Sequence, residues 1–215
     1  MKETPSLKEQ IYNQLFDDII RGYYTSNDII NEKTLIERFN VSKTPIREAL
    51  VSLCSQNILE SLPRYGYRIV HINKREIDDV LKFRCALETE MLRQNYTMIT
   101  QECITKLARV NSQKHIYNNK YDSTTRWEDN TDFHLTLMSF YNNSYANDVM
   151  AQSMRLLHRA YAQYFWDTSR DSSPSISTWR HELVIESLKS KDLDGACKAL
   201  AEDILGFDNL SLYIV

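Results

Sequence analysis

Glycine and proline are scarce in this chain of 215 residues, with four of each. Turn-rich sheet proteins consume both, so the shortage predicts a mainly α-helical fold. Cysteine is as sparse: Cys54, Cys85, Cys103 and Cys197 stand apart with no CxxC pair. That argues against a disulfide frame or a thiolate zinc site and suits a reducing compartment. No run approaches the roughly 20 apolar residues of a membrane span. The opening MKETPSLKEQ lacks the apolar stretch of a secretory leader. A cytoplasmic protein without a membrane partner is expected. Global basicity is missing too, since the formal net charge is −3. Affinity for nucleic acid therefore has to come from local charge.

What is present is helical spacing. Ile11, Leu15 and Ile19 place one apolar face on a helix from Leu7 to Arg21, stopped by Gly22. A second helix is predicted over 32–39 and a third over 44–56, with Ile46, Leu50 and Leu53 on its inner face. The runs ILESL and YRIVHI flank PRYG, a hairpin with Gly66 at its tip. Helix, helix, tight turn, helix and two-stranded wing is the order of a winged helix-turn-helix, expected over residues 1–72. Asn73 with Glu76 reads as a capping box opening a helix to Gln94. Further helices are predicted over about 100–113, 123–141, 145–167, 176–189 and 192–210. SRDSSPS, at 169–175, is the clearest loop. Residues 73–215 thus read as an all-α antiparallel bundle.

The stretch FNVSKTPIREALVSL carries the first functional signal. Proline in a helix's first turn costs nothing, because that N–H has no partner inside the helix. Ser42 and Thr44 sit where side chains cap the exposed amides, and a free helix N-terminus attracts anions. Lys43 and Arg47 add positive charge at the end where the helix dipole disfavours it. An external polyanion resolves that conflict, and DNA is the expected one. Between residues 33 and 68, six cations (Lys33, Arg38, Lys43, Arg47, Arg64 and Arg68) face three acids, Glu37, Glu48 and Glu60. A local basic patch on an acidic chain gives phosphate affinity without general stickiness.

LIERFNVSKTPIREALVSLCSQNILESLPRYGYRIV resembles the N-terminal domain of the GntR superfamily of bacterial transcription regulators. LKFRCALETEM, DFHLTL and HELVIESLKSKDLDGACKAL resemble its FadR-like group, which carries an FCD domain. The resemblance implies DNA contacts from Lys33, Ser42, Lys43, Thr44 and Arg47, with Arg64 and Gly66 on the wing. Arginine is frequent in the family where this chain has Lys33 and Lys43. Lysine is a point charge without a bidentate fork, so Arg47 is the expected guanine reader. A homodimer on a palindromic operator is implied, as for helix-turn-helix regulators generally.

FCD domains commonly hold a divalent metal through Asp-x3-His and two later histidines. The matching positions here are Asn130, His134, His181 and Asp203. At about 100° per residue, Asn130 lies about 40° around the helix from His134, but Asp129 and Asp132 lie about 140° and 160° away. With a turn near Lys191, residues 181 and 203 face each other across an antiparallel helix pair. Two histidines and one carboxylate suit Zn²⁺, Ni²⁺, Mn²⁺ or Fe²⁺. A hydrogen-bonded polar pocket without metal remains the other reading. Arg84 stands with His134 and His181 as an effector residue for a small carboxylate, or as the ion-pair partner of Glu88 one turn on. Tyr161, Tyr164, Phe165 and Trp166 read as helix packing or dimer surface, and His158 as core or rim. His71 and His115 match no chemistry.

A ligand-responsive transcription regulator, of the repressor type, is the expected function. Its effector would sit in the C-terminal helices. An enzyme using a metal at His134, His181 and Asp203 is the alternative. It lacks support from any glycine-rich phosphate loop, nucleophile elbow or HExxH motif. An interaction module with a decayed DNA domain is the third reading, and the intact SKTPIREAL opposes it.

Overall fold

The computed structural model describes residues 5–113, 123–167 and 179–206. It divides into two compact units, Met1–Ile72 and Asn73–Val215. The protein is mainly helical, with an N-terminal winged helix-turn-helix followed by a helical C-terminal unit. No helix among the described residues is long and apolar enough to cross a membrane.

In the first unit, α1 (Leu7–Ile20), α2 (Glu32–Phe39) and α3 (Lys43–Ser55) precede β1 (Leu59–Leu62) and β2 (Gly66–Ile69). Ser6 and Glu9 close a capping box on α1, and Asn31 accepts from the Lys33 N–H to cap α2. Asn40, with φ 52°, ends α2 in the left-handed conformation that asparagine tolerates. That residue makes the tight turn into α3. Ile11, Leu15, Ile19, Leu35, Ile46, Leu50 and Leu53 form the shared core, each 1 % exposed or less. Asp18, buried on α1, is met by the guanidinium fork of Arg38 on α2.

The hairpin differs in one respect from the expectation. Gly66 pairs with Leu62 at the strand end, so the outermost residues are Pro63, Arg64 and Tyr65. The Tyr65 N–H donates to the Leu62 carbonyl at 3.0 Å and closes that turn, with Arg64 at φ 72°. Gly66 has a packing reason of its own. Its φ is +136°, and an added Cβ would meet the Ile30 carbonyl oxygen at 2.5 Å. Ile30 and Tyr67 exchange two backbone hydrogen bonds there, at 2.8 and 2.9 Å. They dock the α1–α2 connection onto the wing.

The second unit holds α4 (Lys74–Gln94), α5 (Gln101–Ser112), α6 (Ser123–Ser139), α7 (Ser144–Asp167), α8 (Trp179–Lys189) and α9 (Leu193–Leu205). The Asn73–Glu76 capping box forms as expected, and Thr100 and Asp192 cap α5 and α9. The principal packings run in a cycle: α4 on α9, α9 on α8, α8 on α5, α5 on α6, α6 on α7 and α7 on α4. Lys191, at φ 61°, makes the turn between α8 and α9. Trp127, Phe133, Leu137, Met150, Leu157, Tyr161, Val184 and Leu200 fill the interior. Trp127 stacks with both His158 and Tyr161; Tyr161 is buried in the core, while His158 is half-buried at its rim. The SRDSSPS segment, His115, the start expected for α8 and the end expected for α9 lie outside the described residues. So do the side chains of Tyr164, Phe165 and Trp166.

Gly66→Ala is expected to destabilise the winged unit by about 1–3 kcal/mol, through the positive φ and the clash with Ile30. Hydrogen exchange checks this. The Ile30 and Tyr67 amides should lose protection while amides of the second unit keep theirs; unchanged wing protection would refute the packing account.

Candidate functional site

In the winged unit, the N-terminus of α3 stands apart from its neighbours. Ser42 is its N-cap residue, yet its hydroxyl makes no capping hydrogen bond, unlike Ser6 on α1 and Asn31 on α2. The first-turn amides of α3 therefore remain open to an outside acceptor. Ser42, Lys43, Thr44 and Arg47 are exposed around this tip, and Lys33 is exposed on the first turn of α2. Arg64 is exposed at the wing turn beside Tyr65, which is 75 % exposed.

The tip cations converge on one carboxylate. Arg47 donates through Nε to Glu32 Oε1 at 3.0 Å, and Lys43 Nζ lies 3.4 Å from Glu32 Oε2. The Tyr67 hydroxyl donates to the same Oε1 at 3.2 Å. Burial works against a charge on Glu32, but Arg47 and then Lys43 hold its carboxyl below the usual range. Two more cations of the expected basic patch are also paired: Arg38 with Asp18 and Arg68 with Glu60. The count of charges along the chain therefore overstates the free charge of this face. Glu32 lies one residue outside the stretch that was counted.

The second cluster is buried among five helices. Glu88 on α4 accepts from Arg84 Nε at 3.0 Å through Oε1, and its Oε2 lies 2.6 Å from His134 Nδ1 on α6. His134 Nε2 lies 3.1 Å from Asp203 Oδ2 on α9. His181 on α8 presents Nε2 to the same Oδ2 at 3.3 Å, while its Nδ1 lies 3.1 Å from Asn111 Oδ1 on α5. Phe133 stacks on the His181 ring at 3.8 Å between centroids, nearly parallel at 6°, and holds its orientation. Arg84, Glu88, His134 and His181 are each 2 % exposed or less.

Charge in this chain is set by neighbours. Burial opposes ionisation of Glu88, but His134 and Arg84 outweigh it and lower its pKa. Burial likewise opposes a proton on His134, yet Glu88 and Asp203 pull its pKa up. For Asp203, burial is overcome by His134 and His181, which hold the carboxyl far below its usual range. His181 goes the other way, because burial lowers its pKa more than Asp203 restores it. A neutral His181 whose Nδ1–H donates to Asn111 leaves a lone pair on Nε2. That atom makes no hydrogen bond, although Asp203 is within reach.

His181 Nε2 and Asp203 Oδ2 lie 3.3 Å apart, and in the tautomer whose Nδ1–H donates to Asn111 both are electron donors. A cation between them satisfies both, so the donor set fits a divalent metal. One donor atom each from His134, His181 and Asp203 lies within 4.8 Å of the others. Glu88 and Asn111 then occupy the outer positions that orient ligating histidines. Asn130 is buried one turn before His134 on α6. Arg84 is committed to Glu88 through Nε, but its Nη2 is buried without a hydrogen-bond partner, lying 2.9 Å from Oε1 in poor alignment. Glu88 appeared in the sequence only as the partner of Arg84. Asn111 gave no signal there, because its role depends on a contact 70 positions away.

Residues 7–69 match the bacterial regulatory proteins of the gntR family, and residues 79–205 match the FCD domain. The chain is 28% identical over 189 residues to an uncharacterized HTH-type transcriptional regulator, YdhC, of Bacillus subtilis (strain 168), covering 87% of this chain and 83% of that protein. It is 28% identical over 193 residues to the gluconate operon transcriptional repressor of Bacillus licheniformis, covering 86% and 76%. The solved structure of E. coli McbR/YncC shares the fold, with a TM-score of 0.73 at 21% identity over 98% of both chains. These families and relatives are transcriptional regulators rather than enzymes, and the reading of His134, His181 and Asp203 as a catalytic centre finds no support.

Removing the Glu88 carboxylate strands the buried Arg84 and His134. Glu88→Ala is expected to cost about 3–5 kcal/mol, and Glu88→Gln less, since its amide oxygen still accepts from Arg84. Urea unfolding followed by tryptophan fluorescence measures this, because Trp127, Trp166 and Trp179 all belong to the second unit. A loss below about 1 kcal/mol for Glu88→Ala would place Glu88 with ordinary surface ion pairs.

Proposed function

The chain belongs to the gntR family of bacterial regulatory proteins and carries an FCD domain, and from that premise we propose that it is a cytoplasmic, sequence-specific repressor governed by a small carboxylate. In this reading residues 1–72 bind operator DNA, and residues 73–215 bind the effector and pair the chain into a homodimer on a palindromic site. The observation that carries the DNA half is the open tip of α3. Its N-cap hydroxyl makes no cap hydrogen bond, its amides are free, and Lys43 and Arg47 stand exposed beside it. A phosphate completes that arrangement without any rearrangement of the helix.

Within it, Lys33, Ser42, Lys43 and Thr44 hold phosphates and set register, and Arg47 reads a base edge. Arg64 follows the backbone from the wing turn. Gly66 acts through the wing's packing on Ile30. Phosphate contacts give affinity that falls with salt, whereas base contacts give discrimination.

The effector half rests on the buried cluster. His134, His181 and Asp203 are the proposed metal ligands, with Asn130 as a weak fourth, for Zn²⁺, Ni²⁺, Mn²⁺ or Fe²⁺. A bound divalent ion would supply an open coordination position to a carboxylate oxygen. Arg84, whose Nη2 is buried without a hydrogen-bond partner, is the group to meet the second oxygen. Glu88 and Asn111 hold the two imidazoles in the orientation that aims each Nε2 at Asp203. Effector binding controls DNA affinity only if it differs between the two states of the dimer.

Two measurements test the reading. Duplexes selected from a genomic library should bind in a salt-dependent manner, and Arg47→Ala should reduce discrimination between selected and scrambled duplexes by about 5- to 150-fold. Loss of affinity for both duplexes alike would make Arg47 a phosphate contact only. Protein purified without a histidine tag should carry close to one metal per chain by elemental analysis, and His134→Ala should lose it. Metal-free protein with no thermal shift on adding Zn²⁺ or Ni²⁺ would identify a hydrogen-bonded polar pocket instead.

A further inference from the structure

Glu32 touches Arg47, Lys43 and Tyr67 on the proposed DNA-reading face, and nothing in the sequence pointed to it. We propose that Glu32 is a positioning residue for base recognition: it holds Arg47 by Nε so that both Nη groups face the groove, and it restrains indiscriminate phosphate binding at the same tip. The inference rests on the regulator reading and adds a residue and a role to it.

Geometry makes the first argument. The hydrogen bond from Arg47 to Glu32 runs through Nε, at 3.0 Å. Guanidinium carries five N–H groups, and engaging Nε–H leaves the four on Nη1 and Nη2. Those form the planar fork that matches guanine O6 and N7. An arginine with free χ angles has to be immobilised at the moment of binding, at a cost in side-chain entropy. Here the restraint exists before DNA arrives.

Anchoring makes the second. Glu32 has a side-chain exposure of 21%, against 61% for Arg47 and 58% for Lys43. Its Oε1 also accepts from the Tyr67 hydroxyl, and Tyr67 is fixed to Ile30 by two backbone hydrogen bonds. The carboxylate is therefore braced by the wing and by the first turn of α2, and the mobile cations lean on it. Arg47 and Lys43 hold it ionised.

Charge makes the third. Two cations sharing one anion leave a net charge of about +1 at the tip, so non-specific attraction to phosphate is weaker than the lysine and arginine alone would give. Lys43 is at 3.4 Å from Oε2, a looser contact than that of Arg47, so it is the cation to leave for a phosphate. A purely stabilising role accounts poorly for the arrangement. Exposed pairs contribute little, and cations at a helix N-terminus oppose its dipole.

The test uses the full chain and two duplexes, one selected by the wild type and one scrambled, with binding read by fluorescence anisotropy over a salt series. Glu32→Ala should bind the scrambled duplex more tightly and lower the selected-to-scrambled ratio by about tenfold. Glu32→Gln should also tighten scrambled binding, but keep more of the ratio, since its amide oxygen still accepts from Arg47 Nε. Tyr67→Phe loosens the carboxylate without changing charge, so it should lower the ratio and leave scrambled affinity unchanged. It serves equally if Glu32→Ala fails to fold, as judged by circular dichroism. Ratios within about twofold of wild type for the folded variants would overturn the proposal while leaving the regulator reading intact. A wild type that discriminates between no duplexes would overturn the regulator reading itself.

Discussion

A carboxylate with no exposure to water has to be answered by positive charge, and Glu88 is answered from two helices at once. Arg84 takes one oxygen and His134 the other, and His134 passes the demand on to Asp203. The interior of the second unit is organised around that requirement. Each further member exists because the previous one leaves an atom unsatisfied: Asp203 meets His134, His181 approaches Asp203, and Asn111 fixes His181. Apolar packing around the cluster, with Phe133 against the His181 ring, prevents water from meeting these needs. Breaking such a chain at one member costs more than any single contact in it is worth, because the remaining charges stay buried.

The winged unit solves a related problem at its surface with the opposite economy. There the cations are exposed and the anion is braced. Glu32 shares its two oxygens among Arg47, Lys43 and Tyr67, so the face that meets a polyanion already carries a placeholder for one. Together the two units show one rule at two burial depths. Inside the bundle, pairing is compulsory and sets which groups are charged. On the helix tip, pairing is optional and sets where the charges point.

The elements themselves were legible because their signals are local. Apolar spacing gave α1 and α3, and the Asn73–Glu76 box gave the start of α4, where the structure has it. The turn at Lys191 was enough to set His181 opposite Asp203 across α8 and α9. Local signals fail where meaning depends on partners distant in the chain. His134 meets Glu88 across 46 positions and His181 meets Asn111 across 70, so neither Glu88 nor Asn111 could be assigned beyond its own helix. The same limit applies to Glu32, 15 positions from Arg47. Counting charges by window treated Arg38 as a free cation, although Asp18, outside the window, neutralises it in space.

The helices of the second unit pack in a cycle, and a cycle closes only when its last segment is in place. In chain order that segment is α9, which lies against both α4 and α8 and brings Asp203 with it. On a ribosome the winged unit is complete once residue 72 has emerged, long before the ring can shut. Among the described residues α9 both closes the ring and delivers Asp203, so the packing of the ring and the assembly of the buried cluster are one event.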